Sequence, residues 1–264
     1  MLTFAAVEMI WTTIVHRPYV VAFLFTFLIL AILHLGVVRA LCWLLFGYLI
    51  AFVSEYSSIR NGIPYGTYHY LYDAMKGELI LGGVPVWDSL SYVFIAYASF
   101  AFAWYLTERL ERQGKYENFL VPARPWKLTL VASILMMLAD VIIDPVANLG
   151  ERWFLGKVYF YPEPGVYFGV PLSNFAGWFV VALGIIGGFQ IVEKFLLRRW
   201  RIPAWGARRF AYQAWLGPLF YFGILGFNLA ITFSIQEYQL GIVGCWIALC
   251  LLLWTLTKQQ PNSV

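Results

Sequence analysis

This sequence predicts an all-α integral membrane protein, a polytopic bundle of about seven transmembrane helices, and three observations carry that prediction. Of 264 residues, 61% are apolar and only 12% charged, against roughly 45–50% and about 25% in soluble domains. Seven apolar runs approach the roughly 20 residues a helix needs to cross a bilayer. None shows the alternation of a β-barrel strand. So few charges cannot cover a soluble globule of this size, which excludes a cytosolic enzyme, a disordered protein and a nucleic-acid binder.

Residues 1–18 contain Glu8 and His16-Arg17 and lack the basic start and cleavage site of a signal peptide. They read as an interfacial lead-in to a single membrane domain spanning residues 1–264. The first spans, approximately 19–35 and 36–54, are separated only by Leu35-Gly36 and predict a close helical hairpin. The others fall at approximately 89–107, 127–147, 175–196, 212–235 and 239–257. Cys42, Cys245 and Cys250 lie in apolar runs without CxxC or Cys/His spacing, so they read as small hydrophobes in helix packing. Gly184 and Gly188 form a GxxxG pair suited to helix packing, and His16 and His34 fall near span ends, as interfacial residues do.

Orientation follows from Lys and Arg, which concentrate in cytoplasmic loops. The odd-numbered loops and the C-terminus share one side. It holds 13 of the 18 basic residues: Arg39; Arg109, Arg112, Lys115, Arg124 and Lys127; Lys194, Arg198, Arg199, Arg201, Arg208 and Arg209; and Lys258. The other side holds Arg17, Arg60, Lys76, Arg152 and Lys157. The expectation is a multi-pass protein of the cell membrane, N-terminus outside and C-terminus cytoplasmic. The net charge of +4 is that of a membrane protein with basic inner loops and calls for no anionic ligand.

Two outer segments, 55–88 and 148–174, are crowded with turn-forming Gly and Pro and with Tyr and Trp. An aromatic belt at the membrane interface explains the rings. It does not explain the acids and amides on the same side: Glu55, Asp73, Asp88, Asn148 and Asn174.

Asp140 is the sharpest signal. It lies in Leu138-Ala139-Asp140-Val141-Ile142-Ile143-Asp144-Pro145, about 20 Å along a span that starts near Lys127. A charge at that depth is costly, and no Lys or Arg occupies the middle of another span. The expectation is a neutral carboxylic acid facing a cavity. Asp140, Asp144 and Asn148 share one helix face, provided Pro145 kinks the helix without ending it. A structural hydrogen-bonding ladder between helices is the alternative. Glu55 closes the second span and Asp88 opens the third, so both can face the same vestibule; Asp88 before Ser89 equally suits a helix cap. Asn174 and Asn228 suit hydrogen bonds between helices.

Walker, dinucleotide-glycine, HExxH and CxxCH motifs are missing, as is a lysine within the last span for a retinal-type Schiff base. The chemistry visible in the residues is acid–base, with no cofactor and no metal expected.

Two motif blocks resemble a known family. Glu55, Gly62-Ile63-Pro64-Tyr65-Gly66-Thr67-Tyr68-His69-Tyr70 and Gly83-Val84-Pro85 form the first. Asp140-Val141-Ile142-Ile143-Asp144-Pro145-Val146-Ala147, Trp153 and Tyr167 through Trp178 form the second. Together, over roughly residues 45–180, they resemble the carotenoid biosynthesis membrane family that includes the carotenoid hydratases; residues around Phe160–Pro164 are extra here. The resemblance implies cofactor-independent addition of water to the terminal C=C bond of a linear carotenoid, C40 or C50, drawn from the bilayer among membrane lipids and other carotenoid-pathway enzymes. Such chemistry needs a proton donor, a shielded tertiary cation and a positioned water. Asp140 is the expected acid and Asp144 or Glu55 the expected base. Tyr65, Tyr68, Trp87 and Trp178 are expected pocket walls, and His69, Asp88, Asn148 and Asn174 complete the candidate site. Two alternatives stand beside hydration: an end-group cyclase or isomerase using the same acid, and a carotenoid or lipid transporter or binding protein.

Overall fold

The structure, a computed structural model, describes residues 2–257 except 109, 112–114, 117–121 and 123. Of the basic residues that set the expected orientation, Arg109, Arg112 and Lys258 lie outside the described residues. Helix α1 (Leu2–His16) precedes seven helices long and apolar enough to cross a membrane. These are α2 (Pro18–Leu35), α3 (Val37–Asn61), α4 (Val86–Thr107), α5 (Pro125–Ala147), α6 (Leu172–Val192), α7 (Leu216–Ser234) and α8 (Tyr238–Thr257). The chain is a multi-pass membrane protein of the expected class.

Local chemistry sets the boundaries. Pro18 and Pro125 open their helices, where a missing N–H removes no intrahelical bond. Helix α3 continues well past residue 54, where the apolar run ends. It stops at Gly62, whose φ of +77° suits the left-handed helix end and whose N–H donates to Ser58 O at 2.9 Å. Glu55 therefore lies inside α3 rather than at its end.

Helix α4 is the axis of the bundle. It is apolar on every side, alternating Ala96, Ala98, Ala101 and Ala103 with aromatic rings, and it is buried almost throughout, as a helix without a polar face must be. Helices α2, α3, α6, α5 and α7 surround it in that order, with α8 packed outside α5 and α7. Outward-facing Phe25, Leu45, Leu49, Val53, Trp246 and Leu253 are exposed, a surface suited to lipid. Gly188 closes the α3–α6 contact, where an added Cβ would lie 2.5 Å from the Phe46 ring.

One end of the bundle is covered by the two long segments. They are stitched together where His69–Tyr70 pairs antiparallel with Tyr159–Phe160. A buried ion pair fastens them to the helices: Arg17 donates to Glu78 at 2.9 Å and to Leu155 O at 2.8 Å. At the opposite end Arg39 pairs with Glu193 at 2.8 Å. Two further expectations need correction. His34 is buried, with Nδ1 2.7 Å from the Tyr97 hydroxyl, because α4 covers the end of α2. Cys245 and Cys250 are exposed rather than packed, because α8 lies outside the ring.

Candidate active site

Three helices deliver one acid or amide each to the loop-covered end, and α5 delivers two. Glu55 comes from α3, Asp88 from the first turn of α4, Asp140 and Asp144 from α5, and Asn174 from the first turn of α6. Pro145 sits inside α5 without ending it, so Asp140 and Asp144 stand one turn apart on the same face. All five line one cavity of about 910 Å³, measured out to its mouth.

The acids differ in their partners. Glu55 Oε2 accepts from Tyr68 and from Tyr70 at 2.8 Å, and its Oε1 accepts from Tyr92. Tyr70 also reaches Asp88. Asp144 Oδ1 accepts from Tyr159, and its Oδ2 accepts from Tyr161 at 2.7 Å. Asn174 Nδ2 donates to Asp140 Oδ2 at 2.7 Å and to Asp144 Oδ2 at 3.2 Å. Asp140 is 1% exposed, yet its Oδ1 has no hydrogen-bond partner among the described residues. Burial first, and then the neighbouring carboxylates, push the Tyr70, Tyr159 and Tyr161 phenols well above the ordinary tyrosine range. These phenols therefore serve as donors at neutral pH.

Aromatic faces line the polar half. Tyr92 and Trp178 stack at 4.1 Å with planes 13° apart. Tyr65 is wedged against α6 at Gly177, where an added Cβ would lie 2.5 Å from its ring, and its hydroxyl is 2.7 Å from Ser54 Oγ. Trp87 lies under the Arg17 guanidinium, 4.5 Å from the ring centroid. The other half is mostly apolar, walled by Phe23, Phe94, Ile95, Ile143, Ile224 and Phe227, with Asn228 beside them.

Of the residues expected from sequence, Glu55, Tyr65, Tyr68, Trp87, Asp88, Asp140, Asp144, Asn174 and Trp178 line this cavity. His69 does not: it is exposed and packs on Phe160. The extended chain turns alternate side chains to opposite faces, so Tyr68 and Tyr70 point in and His69 points out. Asn148 also lies off the cavity wall, at the end of α5, with its amide 3.2 Å from where Gly169 would carry a Cβ. Asp88 makes no side-chain cap bond. Asn228 bonds within its own helix, to Ile224 O at 3.0 Å, rather than between helices, while Asn174 does bridge helices. Sequence reasoning missed Tyr70, Tyr92, Tyr159 and Tyr161, the phenols that hold the acids. Among the described residues no group of three or more His, Cys, Asp or Glu is arranged to hold a metal ion.

Residues 15–251 match the model of a family described as carotenoid biosynthesis protein. The bisanhydrobacterioruberin hydratase of Haloarcula japonica is 28% identical over 206 residues, an overlap covering 71% of this chain and 63% of that relative. No solved structure matches.

Proposed function

From the membership of this chain in the carotenoid biosynthesis protein family, we propose that it hydrates the terminal C=C bond of a linear carotenoid, giving a tertiary alcohol. The observation that carries the reading is Asp140 Oδ1, a buried carboxyl oxygen without a partner in a cavity that is otherwise ringed by satisfied acids and aromatic faces. The relative named as a hydratase supports the same reaction class.

The steps follow from the partners of each group. The Asp140 carboxyl gives its proton to the alkene carbon away from the branch, and the π electrons form the new C–H bond. Positive charge then falls on the tertiary carbon, where the Tyr92–Trp178 stack and nearby phenol rings offer π faces. Water adds through an oxygen lone pair and passes a proton to Asp144; transfer of that proton to the Asp140 carboxylate, one turn away, restores both groups for the next turnover. No redox change occurs. Asp144 suits the base because it sits one turn from Asp140 and shares Asn174 with it; an ionised carboxylate has about four acceptor sites, and three donors leave one for water. Glu55 also holds three donors but shares no ligand with Asp140, so it organises the wall. The chain needs no cofactor in this scheme.

The test is expression in bacteria that accumulate linear C40 or C50 carotenoids, followed by mass spectrometry of the pigments. A gain of one water per reacted end is expected. A rearranged product of unchanged mass would make the chain a cyclase or isomerase, and unmodified pigment bound to the protein would make it a binder or transporter. The split of basic residues supports a site on the outer side of the cell membrane. Reporter fusions after Lys115 and Arg201 should then both read as cytoplasmic, and an external signal from either reverses the orientation.

A further inference from the structure

We infer that the carotenoid reaches the acids sideways from the bilayer, through the seam between α2 and α7, and that Phe23 and Phe227 form the gate that selects a long polyene. This rests on the reading of the site as one for a linear carotenoid.

The ring of helices around α4 is packed least densely between α2 and α7. What closes that seam near the site is aromatic. Phe227 meets Phe23 edge-on with ring centroids 5.6 Å apart, and Tyr19 stacks on Phe227 at 5.6 Å. Tyr19, Phe23 and Phe227 line the cavity and are only partly buried. Trp153 and Phe154 pack on Tyr19 from the loop side, which leaves the Phe23–Phe227 contact as the closure between α2 and α7.

Depth agrees. Counting from the loop-covered helix ends at 1.5 Å per residue, Phe23 stands about 8 Å down α2. Phe227 stands about 10 Å down α7, and Asp140 stands about 10 Å down α5. A chain passing between the two rings therefore arrives level with the unpartnered Asp140 oxygen. On the outer face of α7, Gly223 and Gly226 are exposed, and a Cβ added at either would meet nothing within 4 Å. The approach beside Phe227 is smooth and open. The α2–α7 side of the cavity is mostly apolar, with Tyr19 and Asn228 as its polar groups, while the acids stand on the far side, so one end of the substrate enters while the rest of the polyene stays in lipid.

The experiment uses the full chain in lipid vesicles. Phe227→Trp, which adds bulk to the gate, is compared with Phe25→Trp, whose side chain already faces outward from the bundle. Two probes are used: lycopene delivered in the bilayer, and a short alkene of about ten carbons with the same end group. Binding is read from the shift in polyene absorption and turnover from product mass. Phe227→Trp should lower the lycopene-to-short-alkene ratio of kcat/KM by about tenfold and weaken lycopene binding similarly, at unchanged unfolding temperature; Phe25→Trp should change neither. An unchanged ratio, or equal loss for both probes, overturns the gate. Weakened lycopene binding in Phe227→Trp with no turnover by any chain supports the gate and removes the hydration reading.

Discussion

Asp140 and Asp144 are joined through a single amide: Asn174 Nδ2 lies 2.7 Å from one carboxyl and 3.2 Å from the other. The two acids sit one turn apart on α5, while the amide comes from α6, the helix that packs most extensively against α5. Their relative position therefore depends on an interhelical contact rather than on α5 alone. Beyond the shared donor they differ, with Asp144 held by two phenols and Asp140 presenting a free oxygen. That asymmetry is what lets two chemically identical groups take opposite roles.

Replacing the shared donor should blunt catalysis without emptying the site. Asn174→Leu keeps the volume but leaves both carboxyls one hydrogen bond short. Turnover should fall about 10²-fold, as expected when reacting groups shift by about 1 Å, with the change in kcat and little in KM. Steady-state kinetics in detergent would check it. A loss confined to KM would make Asn174 a substrate contact instead.

The spans and the paired aspartates were legible because a bilayer imposes run length, and a carboxylate within a long apolar run stands out against it. Glu55 was harder to place, since the polar residues after Val53 end the apolar run while the helix continues. The phenols were hidden by abundance. With 17 tyrosines, most of them explicable as interfacial rings, nothing local distinguishes Tyr159 and Tyr161 from Tyr167. Their role appears only when the second segment folds back over α5 and pairs with His69–Tyr70. His69 misled because histidine suggests chemistry, although its place between Tyr68 and Tyr70 already predicted the opposite face.

The phenols predict an alkaline limb of stability. Burial and the adjoining carboxylates raise Tyr70, Tyr159 and Tyr161, whereas in the unfolded chain such groups lose their protons near about pH 10. Above that pH the native state binds more protons than the unfolded one, so stability falls as pH rises; below it the contribution is fully present. The unfolding temperature in detergent should decline from about pH 10 upward. The Tyr159→Phe, Tyr161→Phe double variant should start lower at neutral pH, because Asp144 loses two donors, and decline less steeply. Parallel limbs in the two proteins would remove these phenols as the source.

The buried Arg17–Glu78 pair should behave as a fastener of the site's roof. Both side chains are almost fully shielded, and Arg17 also holds Leu155 O and lies over Trp87. Arg17→Met strands a buried carboxylate whose remaining ion-pair partner is His16 at 3.2 Å, a loss of about 3–5 kcal/mol. The Arg17→Met, Glu78→Leu double variant should recover much of it, since an apolar replacement of both partners avoids an unpaired charge. Denaturant unfolding of the three proteins would decide, and a single variant as stable as the wild type would contradict the fastener.

The division of labour between the two aspartates yields the most specific expectation. Asp140→Asn is nearly isosteric and keeps an atom for Asn174 to bind, but the amide supplies no acidic proton. Folding should survive while turnover falls by at least about 10², the low end for general acid catalysis. Asp144→Asn should fail differently. The proton is still delivered and the cation still forms, but the attacking water loses its acceptor. Part of the cation should then collapse by losing a proton from carbon, giving an isomerised or cyclised pigment of unchanged mass. Pigment analysis of the two variants separates the roles: silence from Asp140→Asn beside rearranged product from Asp144→Asn is the expected pair. Near-normal hydration by a well-folded Asp140→Asn protein would falsify Asp140 as the donor and move that role to Glu55 or Asp144.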